Sequence, residues 1–349
     1  MSSYGVGVFG IGWVAGEHIR AYMHSPHMKV MALATRRKQS AQAAREKLGL
    51  DCDIVDTFDD LLERNDIHVI DICSPNALHA EEAVSAAEAG KHCLIEKPIT
   101  TTLEDAVRLQ RSARERGLSL AVDHMMVENV YNHRARELIG RGAIGEVNDI
   151  SLHMEFCYGS APDEAASWRC ADPKERGGPI GDVGSHCLYM AEFLLDSEVL
   201  SLACVYMPRT LDIAVENGAV VQFRLCSGVQ GTVRVAFNQP RGGLGGTLSS
   251  NLGYEIYGAQ GVIRGYGTLF QLSGHPGEPV EVRLELDDFR RTEKIRIDPV
   301  QNIYQAVIAK HAESIVNDTP LDAGDALHNL QLVLGCYESA DRQGQTINF

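Results

Sequence analysis

The stretch Gly10-Ile11-Gly12-Trp13-Val14-Ala15 follows directly on a short apolar run, Val6–Phe9. It fits the pattern G-x-G-x-x-A, which opens the helix of a strand–turn–helix unit that binds the pyrophosphate of a dinucleotide. In that pattern Gly10 permits a sharp turn, Gly12 lets the backbone approach the pyrophosphate, and Ala15 lets the helix pack closely on the strand. The alternative is a glycine-rich turn with no ligand. The residues predicted to contact the cofactor here are Gly10, Gly12, Trp13 and Val14.

Short apolar runs alternate with amphipathic stretches over residues 5–123. Runs that are apolar on both faces are typical of buried parallel strands, and apolar residues three and four apart are typical of helices. This alternation predicts a parallel sheet with helices on both faces. The predicted strands are Val6–Phe9, Val30–Ala34, Val69–Cys73, Cys93–Ile95 and Leu118–Val122. The predicted helices are Val14–Met23, Ser40–Leu48, Ala77–Ala89 and Thr102–Arg116.

The pattern changes after about Val122, where strands begin to dominate. Consecutive strands joined by tight glycine-containing links, such as Ser227-Gly228, predict an antiparallel sheet. The glycine-rich stretch Gly242–Gly246 is expected to link two of the strands. The predicted strands are Val147–Phe156, Leu200–Met207, Ala219–Leu225, Gln230–Phe237, Tyr254–Tyr257, Gly261–Arg264 and Val280–Leu286. The predicted helices are Asn132–Gly140, Ser185–Leu195, Gln301–Asn317 and Ala323–Ala340.

The composition is that of a globular protein with an acidic balance. A length of 349 residues suggests two domains. The formal net charge of −15 argues against a nucleic-acid backbone or an anionic membrane as partner, because both attract clustered Lys and Arg. The 9 Cys include no Cys-x-x-Cys pair, so neither a disulfide framework nor a zinc site is indicated. Since there is no basic leader and no apolar run of about 18 residues, we expect a cytoplasmic protein.

The end of the second predicted strand carries cations where an acid is usual. The stretch Thr35-Arg36-Arg37-Lys38 begins 23 residues past Gly12, the position at which NAD-binding proteins have an Asp or Glu for the ribose hydroxyl. A neutral Thr followed by Arg can instead bind the 2′-phosphate of NADP. We therefore predict that NADP(H) is preferred and NAD(H) possible, with a solvated basic loop as the alternative. The residues predicted to contact this end of the cofactor are Thr35, Arg36 and Arg37.

Three further segments carry a family resemblance. They are Cys73-Ser74-Pro75-Asn76-Ala77-Leu78-His79, Ala89-Gly90-Lys91-His92-Cys93-Leu94-Ile95-Glu96-Lys97-Pro98 and Gly177-Gly178-Pro179-Ile180-Gly181-Asp182-Val183-Gly184-Ser185-His186. In this order and spacing the chain resembles the Gfo/Idh/MocA family, which includes glucose–fructose oxidoreductase and inositol dehydrogenase. The resemblance implies an α/β Rossmann domain followed by an α+β domain with a large, open, mostly antiparallel sheet. We therefore expect a dinucleotide-binding domain over residues 1–123 and a substrate-binding and oligomerisation domain over residues 124–349.

The resemblance also implies roles for residues at matching positions of this sequence. The expected catalytic residues are Lys97, Asp182 and His186. The further expected cofactor contacts are Ser74, Pro75, Asn76, His79, Glu96, Lys97, Trp168 and Arg169. Two positions depart from the family pattern: Tyr189 replaces an Asp, and residues 124–130 lack the usual Arg and Pro. Both changes affect the expected substrate pocket, so they leave the identity of the sugar open.

The reaction that the resemblance implies moves a hydride between nicotinamide and a carbinol carbon of a sugar, cyclitol or related polyol. His186 can take the hydroxyl proton because histidine titrates near neutral pH. Lys97 would place a positive charge where the substrate oxygen becomes anionic. Asp182, four residues before His186 at a helix start, can orient the imidazole or hold a substrate hydroxyl. The alternatives are an Asp182 that caps the helix, a His186 packed in the core and a Lys97 on the surface.

Two other functions are also compatible with these motifs. An NAD-dependent glycosidase of the same family would oxidise its substrate only transiently, and a redox-inactive NADP-binding regulator would not turn over any substrate.

Because Val229, Val233 and Val235 are expected on an exposed face of the second sheet, we predict a homodimer or homotetramer through it. No metal is expected, since no His, Asp and Glu cluster has ligand spacing. The histidines without a partner motif are expected on the surface: His18, His24, His27, His311 and His328.

Overall fold

The computed structural model describes residues 3–241, 251–269, 282–297 and 299–349. The stretch Gly242–Gly246 lies outside the described residues, as do the first two residues of the predicted strand Val280–Leu286. Contacts divide the chain into two compact units. The first consists of Met1–Met125 and Asn302–Leu330, and the second of Met126–Gln301 and Gln331–Phe349.

The described residues form strands and α-helices that we number in chain order. The strands are β1 Tyr4–Phe9, β2 Met28–Ala34, β3 Asp53–Val55, β4 Val69–Ile72, β5 His92–Glu96, β6 Leu120–Asp123, β7 Val147–Glu155, β8 Val199–Tyr206, β9 Gly218–Leu225, β10 Gln230–Ala236, β11 Leu252–Gly258, β12 Gly261–Tyr266, β13 Arg283–Asp287, β14 Thr292–Ile295 and β15 Ile347–Asn348. The helices are α1 Trp13–Tyr22, α2 Lys38–Leu48, α3 Phe58–Leu62, α4 His79–Glu88, α5 Leu103–Glu115, α6 Val130–Gly140, α7 Pro162–Ala165, α8 Trp168–Ala171, α9 Ser185–Leu195, α10 Ile303–Val316 and α11 Gly324–Asp341.

Strands β1 to β6 form a parallel sheet in the first unit, in the order β3-β2-β1-β4-β5-β6. Its central strands are buried on both faces, as their continuous apolar runs predict: Val6, Val8 and Val69 have no exposed surface. Strand β1 pairs with β2 on one side and with β4 on the other, so the strand order reverses there. In sheets of this kind, ligands bind at the carboxyl ends of the strands beside that reversal.

Local signals set the ends of the helices that flank this sheet. Helix α2 ends at Gly49, whose φ of 64° is a left-handed conformation that favours glycine. Helix α5 begins after Thr102, whose side chain accepts a hydrogen bond from the backbone N–H of Asp105. Helix α1 differs, because its N-cap is Gly12 and no side chain caps it. The first turn of α1 therefore keeps its backbone N–H groups for another partner.

Strands β7 to β15 form the sheet of the second unit, in the order β14-β13-β12-β11-β7-β10-β9-β8-β15. The pair β7 and β10 is parallel, and the other described neighbours are antiparallel. Helix α9 and the π-helical turn Ile180–Gly184 before it pack on this sheet. The predicted mostly antiparallel sheet is therefore confirmed.

The apolar alternation in β10 faces the covered side of this sheet. Val233 and Val235 have no exposed surface, whereas Thr232 and Arg234, which alternate with them, are partly exposed. A Cβ atom on Gly184 would lie 3.9 Å from the Val235 side chain, so this valine faces the helical turn. The use of these valines as a sign of an exposed apolar face was therefore wrong. Oligomerisation stays a prediction without that support.

Short edge elements had no clear signal in the sequence. Strand β14 is mostly exposed and polar, and β3 has only three residues, so neither has the apolar run that marks a buried strand.

Residues 302–330 group with the first unit, which the predicted domain boundary after residue 123 did not include. One contact that ties them there is the hydrogen bond from the Leu120 N–H to the Leu321 carbonyl, 2.9 Å long. No described helix is long and apolar enough to cross a membrane.

Candidate functional site

The predicted phosphate-binding turn lies at the carboxyl end of β1. Gly10 has a φ of +87°, which favours glycine. A Cβ atom there would lie 2.6 Å from the Ser74 nitrogen, so the turn packs directly against the loop after β4. The Gly10 N–H also donates to the Ala34 carbonyl over 3.0 Å, which ties the turn to the end of β2. Three of the predicted cofactor segments therefore meet at this edge: the turn, the loop after β4 and the loop after β2.

The fold itself does not require glycine at position 12. Its φ of −110° and ψ of −163° suit any residue, and a Cβ atom would meet nothing within 4 Å among the described atoms. Trp13, next to it, is 61% exposed at the start of α1, while Ala15 is fully buried. An uncapped helix N-terminus beside open space fits the pyrophosphate of a dinucleotide, because the helix start carries partial positive charge. Glycine at position 12 would then serve a ligand that approaches the backbone.

The loop after β4 is held by His79. This histidine has no exposed surface, and its Nδ1 lies 2.8 Å from the Pro98 carbonyl while its Nε2 lies 3.0 Å from the Ser74 carbonyl. Burial lowers the pKa of His79. His79 thus ties the Ser74-Pro75-Asn76 turn to the segment after β5, and its contact with the cofactor stays a prediction. Asn76 is itself buried, at 5% exposed.

The basic stretch after β2 lies where the sequence predicts the ribose end of a dinucleotide. Thr35 is half-buried, and Arg36 and Arg37 are exposed. Burial raises the pKa of Glu82 on α4 to about 7, against the hydrogen bond from Ser74 and the charge of Arg36. The charge of Arg36 thus acts on Glu82, whose carboxylate accepts a hydrogen bond from Ser74 in the loop after β4. Contacts of these residues with a cofactor stay predictions.

Lys97 follows Glu96, the last residue of β5. Both side chains are partly buried, and Glu96 is 13% exposed. Burial, followed by the charge of Asp123, raises the pKa of Glu96 to about 8, while His18 and Lys97 oppose this rise. A half-buried lysine beside such an acid does not fit the alternative of a plain surface residue.

A buried polar cluster that the sequence did not reveal surrounds His18. This side chain is 1% exposed, so the expectation that it lies on the surface was wrong; His311, with no exposed surface, corrects the same expectation. His18 Nδ1 lies 3.0 Å from an Asp71 oxygen, and Nε2 lies 3.0 Å from an Asp123 oxygen. The available signal was Asp71, an acid inside an apolar strand, because a buried carboxylate needs a partner.

Two groups in this cluster bring possible metal-ligand atoms within 4.8 Å of one another: His18 with Asp71 and Cys73, and His18 with Glu96 and Asp123. They use opposite nitrogens of the same ring, so a single ion could be bound by only one of them. A proton on each nitrogen satisfies both neighbouring carboxylates at once. We therefore interpret the cluster as hydrogen-bonded, and the expectation of no metal stays a prediction.

The second unit brings three other predicted site residues together. The Arg169 Nε donates to an Asp182 oxygen over 3.3 Å, and its guanidinium carbon lies 4.5 Å from the centre of the Trp168 ring. Asp182 is 13% exposed. The W-R pair and the predicted catalytic Asp182 thus form one partly buried group, in which a cation fixes the carboxylate.

Asp182 and His186 stand on one continuous helical segment. Asp182 is in the π-helical turn Ile180–Gly184, and His186, 5% exposed, is in the first turn of α9. The N-cap of α9 is Gly184, two residues after Asp182, and a helix-capping role for Asp182 stays an alternative. Single π-turns occur often at functional sites, where they shift side chains out of the ordinary helical register.

Glu216, which the sequence pattern does not single out, holds the start of this segment. Its Oε1 accepts a hydrogen bond of 2.8 Å from the Ile180 N–H and lies 3.3 Å from the Tyr337 hydroxyl. A Cβ atom on Gly178 would come within 2.5 Å of the Glu216 oxygens, and one on Gly181 within 1.9 Å of a backbone oxygen. The glycines before Asp182 are therefore required by close packing within the second unit.

Comparisons with known proteins match both halves of the chain to one family. Residues 4–124 match the oxidoreductase family with an NAD-binding Rossmann fold, and residues 132–264 match the GFO/IDH/MocA C-terminal domain. The dTDP-3,4-didehydro-2,6-dideoxy-alpha-D-glucose 3-reductase of Streptomyces violaceoruber is 32% identical, over 89% of this chain and 84% of its own. Levoglucosan dehydrogenase of Pseudarthrobacter phenanthrenivorans is 27% identical, over 75% and 73%.

Solved structures agree on the fold. A 3-ketoreductase from Actinomadura kijaniata, in complex with NADP and TDP-benzene, has a TM-score of 0.82 and 23% identity, covering 97% of this chain and 98% of its own. At that identity the likeness is one of fold alone. Together with the sequence matches over both units, it leads to one conclusion: the chain belongs to the Gfo/Idh/MocA family and is a nicotinamide-dependent oxidoreductase with an NAD-binding Rossmann fold.

Proposed function

We propose that this protein transfers a hydride between the nicotinamide and a carbinol or carbonyl carbon of a sugar, cyclitol or related polyol. The observation that carries the proposal is the turn at Gly10–Ala15, where the chain itself does not need Gly12 and leaves the start of α1 uncapped. The names of the relatives, a sugar-nucleotide 3-reductase and a levoglucosan dehydrogenase, favour a sugar-like substrate. In this proposal residues 1–123 bind the dinucleotide, and residues 124–349 bind the substrate.

Bound nicotinamide supplies the acceptor or donor of the hydride. In the direction of oxidation, His186 accepts the hydroxyl proton of the substrate as the adjacent C–H bond gives up its hydride and the carbonyl forms. The ammonium of Lys97 stabilises the negative charge that develops on that oxygen. Asp182, fixed by Arg169 at 3.3 Å, orients the imidazole or a second substrate hydroxyl.

We propose a preference for NADP(H), because Arg36 and Arg37 are exposed beside half-buried Thr35 and no acid is present there. A charge-assisted hydrogen bond to the 2′-phosphate contributes roughly 1.5–3 kcal/mol, which corresponds to about ten- to a hundredfold in affinity for each such bond. Arg36 is our first choice for this contact. Kd values for both cofactors, in wild type and in Arg36→Ala/Arg37→Ala, measure the preference; equal or tighter NAD(H) binding in the wild type contradicts it.

The reaction is tested by screening sugars, cyclitols and other polyols against both cofactors, with the nicotinamide absorbance as readout. We expect steady net oxidation or reduction of the cofactor with at least one substrate. A glycosidase would form product while the total oxidised cofactor stays constant, and a regulator would bind cofactor without turnover. Either result overturns the proposal.

We also propose a homodimer or homotetramer formed through the second sheet. The face opposite the buried valines is polar and carries ion pairs between neighbouring strands, such as Arg264 with Asp287 at 3.1 Å and Arg234 with Glu155. A monomeric mass by light scattering at micromolar concentration is incompatible with this assembly.

A further inference from the structure

Glu82 on α4 lies against the loop after β4, and the proposed reaction gives it no role. Its side chain is partly buried, and its carboxylate accepts a hydrogen bond from the Ser74 hydroxyl. Ser74 is also where the phosphate-binding turn packs, because a Cβ atom on Gly10 would lie 2.6 Å from the Ser74 nitrogen. A single residue, Ser74, therefore links Glu82 to the turn that we expect to bind the pyrophosphate.

The loop after β2 meets the same turn from the other side. Strand β1 lies between β2 and β4 in the sheet, and the Gly10 N–H donates to the Ala34 carbonyl at the end of β2 over 3.0 Å. Arg36, two residues beyond Ala34, is exposed. Its positive charge acts on the Glu82 carboxyl and favours the ionised form. The cation that we propose for the 2′-phosphate therefore also stabilises the charge of Glu82.

The charge of Glu82 depends on the groups around it. Burial raises the pKa of Glu82 to about 7, against the hydrogen bond from Ser74 and the charge of Arg36, and its neighbour Glu81 raises it further. His79 on the same helix is neutral near pH 7, because burial lowers its pKa. Among the described residues, α5, which packs against α4, adds no charge that acts on this carboxyl. Glu82 therefore gains its negative charge close to neutral pH.

We propose that Glu82 is a specificity-determining residue, whose carboxylate competes with the 2′-phosphate of NADP(H) for Arg36. A phosphate monoester carries a charge of about −1.5 to −2 near pH 7, and an ionised carboxylate beside the same guanidinium repels it. When Glu82 is protonated, this repulsion is absent. NAD(H) has no 2′-phosphate, so its affinity does not depend on Glu82 in this way. The inference rests on the proposed contact of Arg36 with NADP(H).

Binding of NADP(H) is then coupled to proton uptake by Glu82. A second negative charge beside this carboxyl disfavours its ionised form, so bound NADP(H) raises the pKa of Glu82. By linkage, the affinity for NADP(H) falls as the pH rises through the range in which Glu82 ionises. A rise of about half to one pKa unit corresponds to about a three- to tenfold loss of affinity at the higher pH.

The first experiment compares Kd values for NADP⁺ and NAD⁺ in wild type and Glu82→Gln, at about one pH unit below and above neutrality. Glutamine keeps an acceptor for Ser74 but has no charge. Comparison at equal pH removes the titration of the phosphate itself. We expect equal NADP⁺ affinity at the lower pH, and about three- to tenfold tighter binding by the variant at the higher pH. NAD⁺ affinity should be alike in both proteins. Glu81→Gln, which removes an exposed acid beside Glu82, is the matched control and should have a smaller effect.

The second experiment is a carboxyl NMR titration of the full-length protein, which needs no catalysis. Labelled glutamate carboxyl groups are used, and loss of the signal in Glu82→Gln or Glu82→Asp assigns Glu82. We expect a midpoint near pH 7 without cofactor, a higher midpoint in saturating NADP⁺ and a smaller change in NAD⁺. In cofactor-free Arg36→Ala the midpoint should rise, because the cation that favours the ionised form is gone.

Three results overturn the inference: unchanged NADP⁺ affinity in Glu82→Gln at the higher pH, weaker NADP⁺ binding by that variant, or a Glu82 midpoint that NADP⁺ does not move. If Glu82→Gln does not fold, the wild-type titrations, assigned with Glu82→Asp, decide alone. Arg36→Ala separates this failure from that of the proposed function. Wild-type NADP⁺ affinity in Arg36→Ala removes the proposed phosphate contact and the inference with it, whereas weakened affinity beside an unchanged Glu82→Gln removes the inference alone.

Discussion

At the scale of single residues, two glycines of the same turn have different reasons to be there. Gly10 has a left-handed backbone, and a Cβ atom there would lie 2.6 Å from the Ser74 nitrogen in the loop after β4. Gly12 has an extended backbone and open space around it. The first glycine therefore serves the fold, and in our account the second serves the bound pyrophosphate.

Alanine substitutions separate these two reasons. Gly10→Ala should lower stability by roughly 1–3 kcal/mol or more, through overpacking and backbone strain. Gly12→Ala should leave the Tm near that of wild type and raise the Kd for NADP(H) by about tenfold or more. A tenfold change corresponds to about 1.4 kcal/mol of binding free energy. Thermal melts and cofactor titrations of both variants measure this. A Gly12→Ala protein with unchanged cofactor affinity would mean that the pyrophosphate does not lie on this turn.

At the scale of elements, the π-helical turn Ile180–Gly184 places Asp182. This turn depends on glycine at position 181 more than at position 184. A Cβ atom on Gly181 would lie 1.9 Å from a backbone oxygen, whereas one on Gly184 would lie at an ordinary 3.4 Å from its nearest neighbour. We expect Gly181→Ala to lower both the Tm and kcat, because a backbone oxygen cannot give way as a side chain does.

Gly184→Ala is the matched control in the same turn. Its backbone is already helical, with φ −63° and ψ −35°, so alanine fits. Its Tm and kcat should stay close to those of wild type. If the two variants behave alike, close packing of the turn is not what places Asp182.

The elements also show what the sequence could and could not reveal. The strand–helix alternation and the glycine turn were predictable because both are local: each depends on neighbouring residues and on backbone conformation. The His18 cluster was not, because its partners are 53 and 105 residues away in the chain and only the sheet register brings them together. Glu216 was missed for the same reason, since it lies 36 residues from the Ile180 N–H that it binds.

At the scale of the whole molecule, buried histidines should make the fold sensitive to acid. Burial lowers the pKa of His311 to about 3 and that of His124 to about 4. Both are neutral in the folded state, while the unfolded chain takes up their protons near pH 6.5 or so. The fold therefore keeps its full stability above that pH. As the pH falls toward about 4, the free energy of unfolding decreases by up to about 1.4 kcal/mol per group for each pH unit.

His311→Leu tests this dependence, because leucine removes the titrating group at a fully buried position. The fall in Tm between about pH 6.5 and about pH 5 should be smaller in this variant than in wild type. His24, an exposed histidine, is the control position, and His24→Leu should keep the wild-type slope. Equal slopes in all three proteins would show that His311 is not held neutral by the fold.

The central claim, hydride transfer with Lys97 and His186 as polar catalysts, is tested most directly by kcat in Lys97→Ala and His186→Ala with a substrate found by the screen. Loss of one general acid–base group typically costs about 10²–10⁴-fold in rate. We expect each variant to lose kcat on that order while the Kd for NADP(H) changes much less. A His186→Ala protein that keeps a near-wild-type kcat would contradict the account.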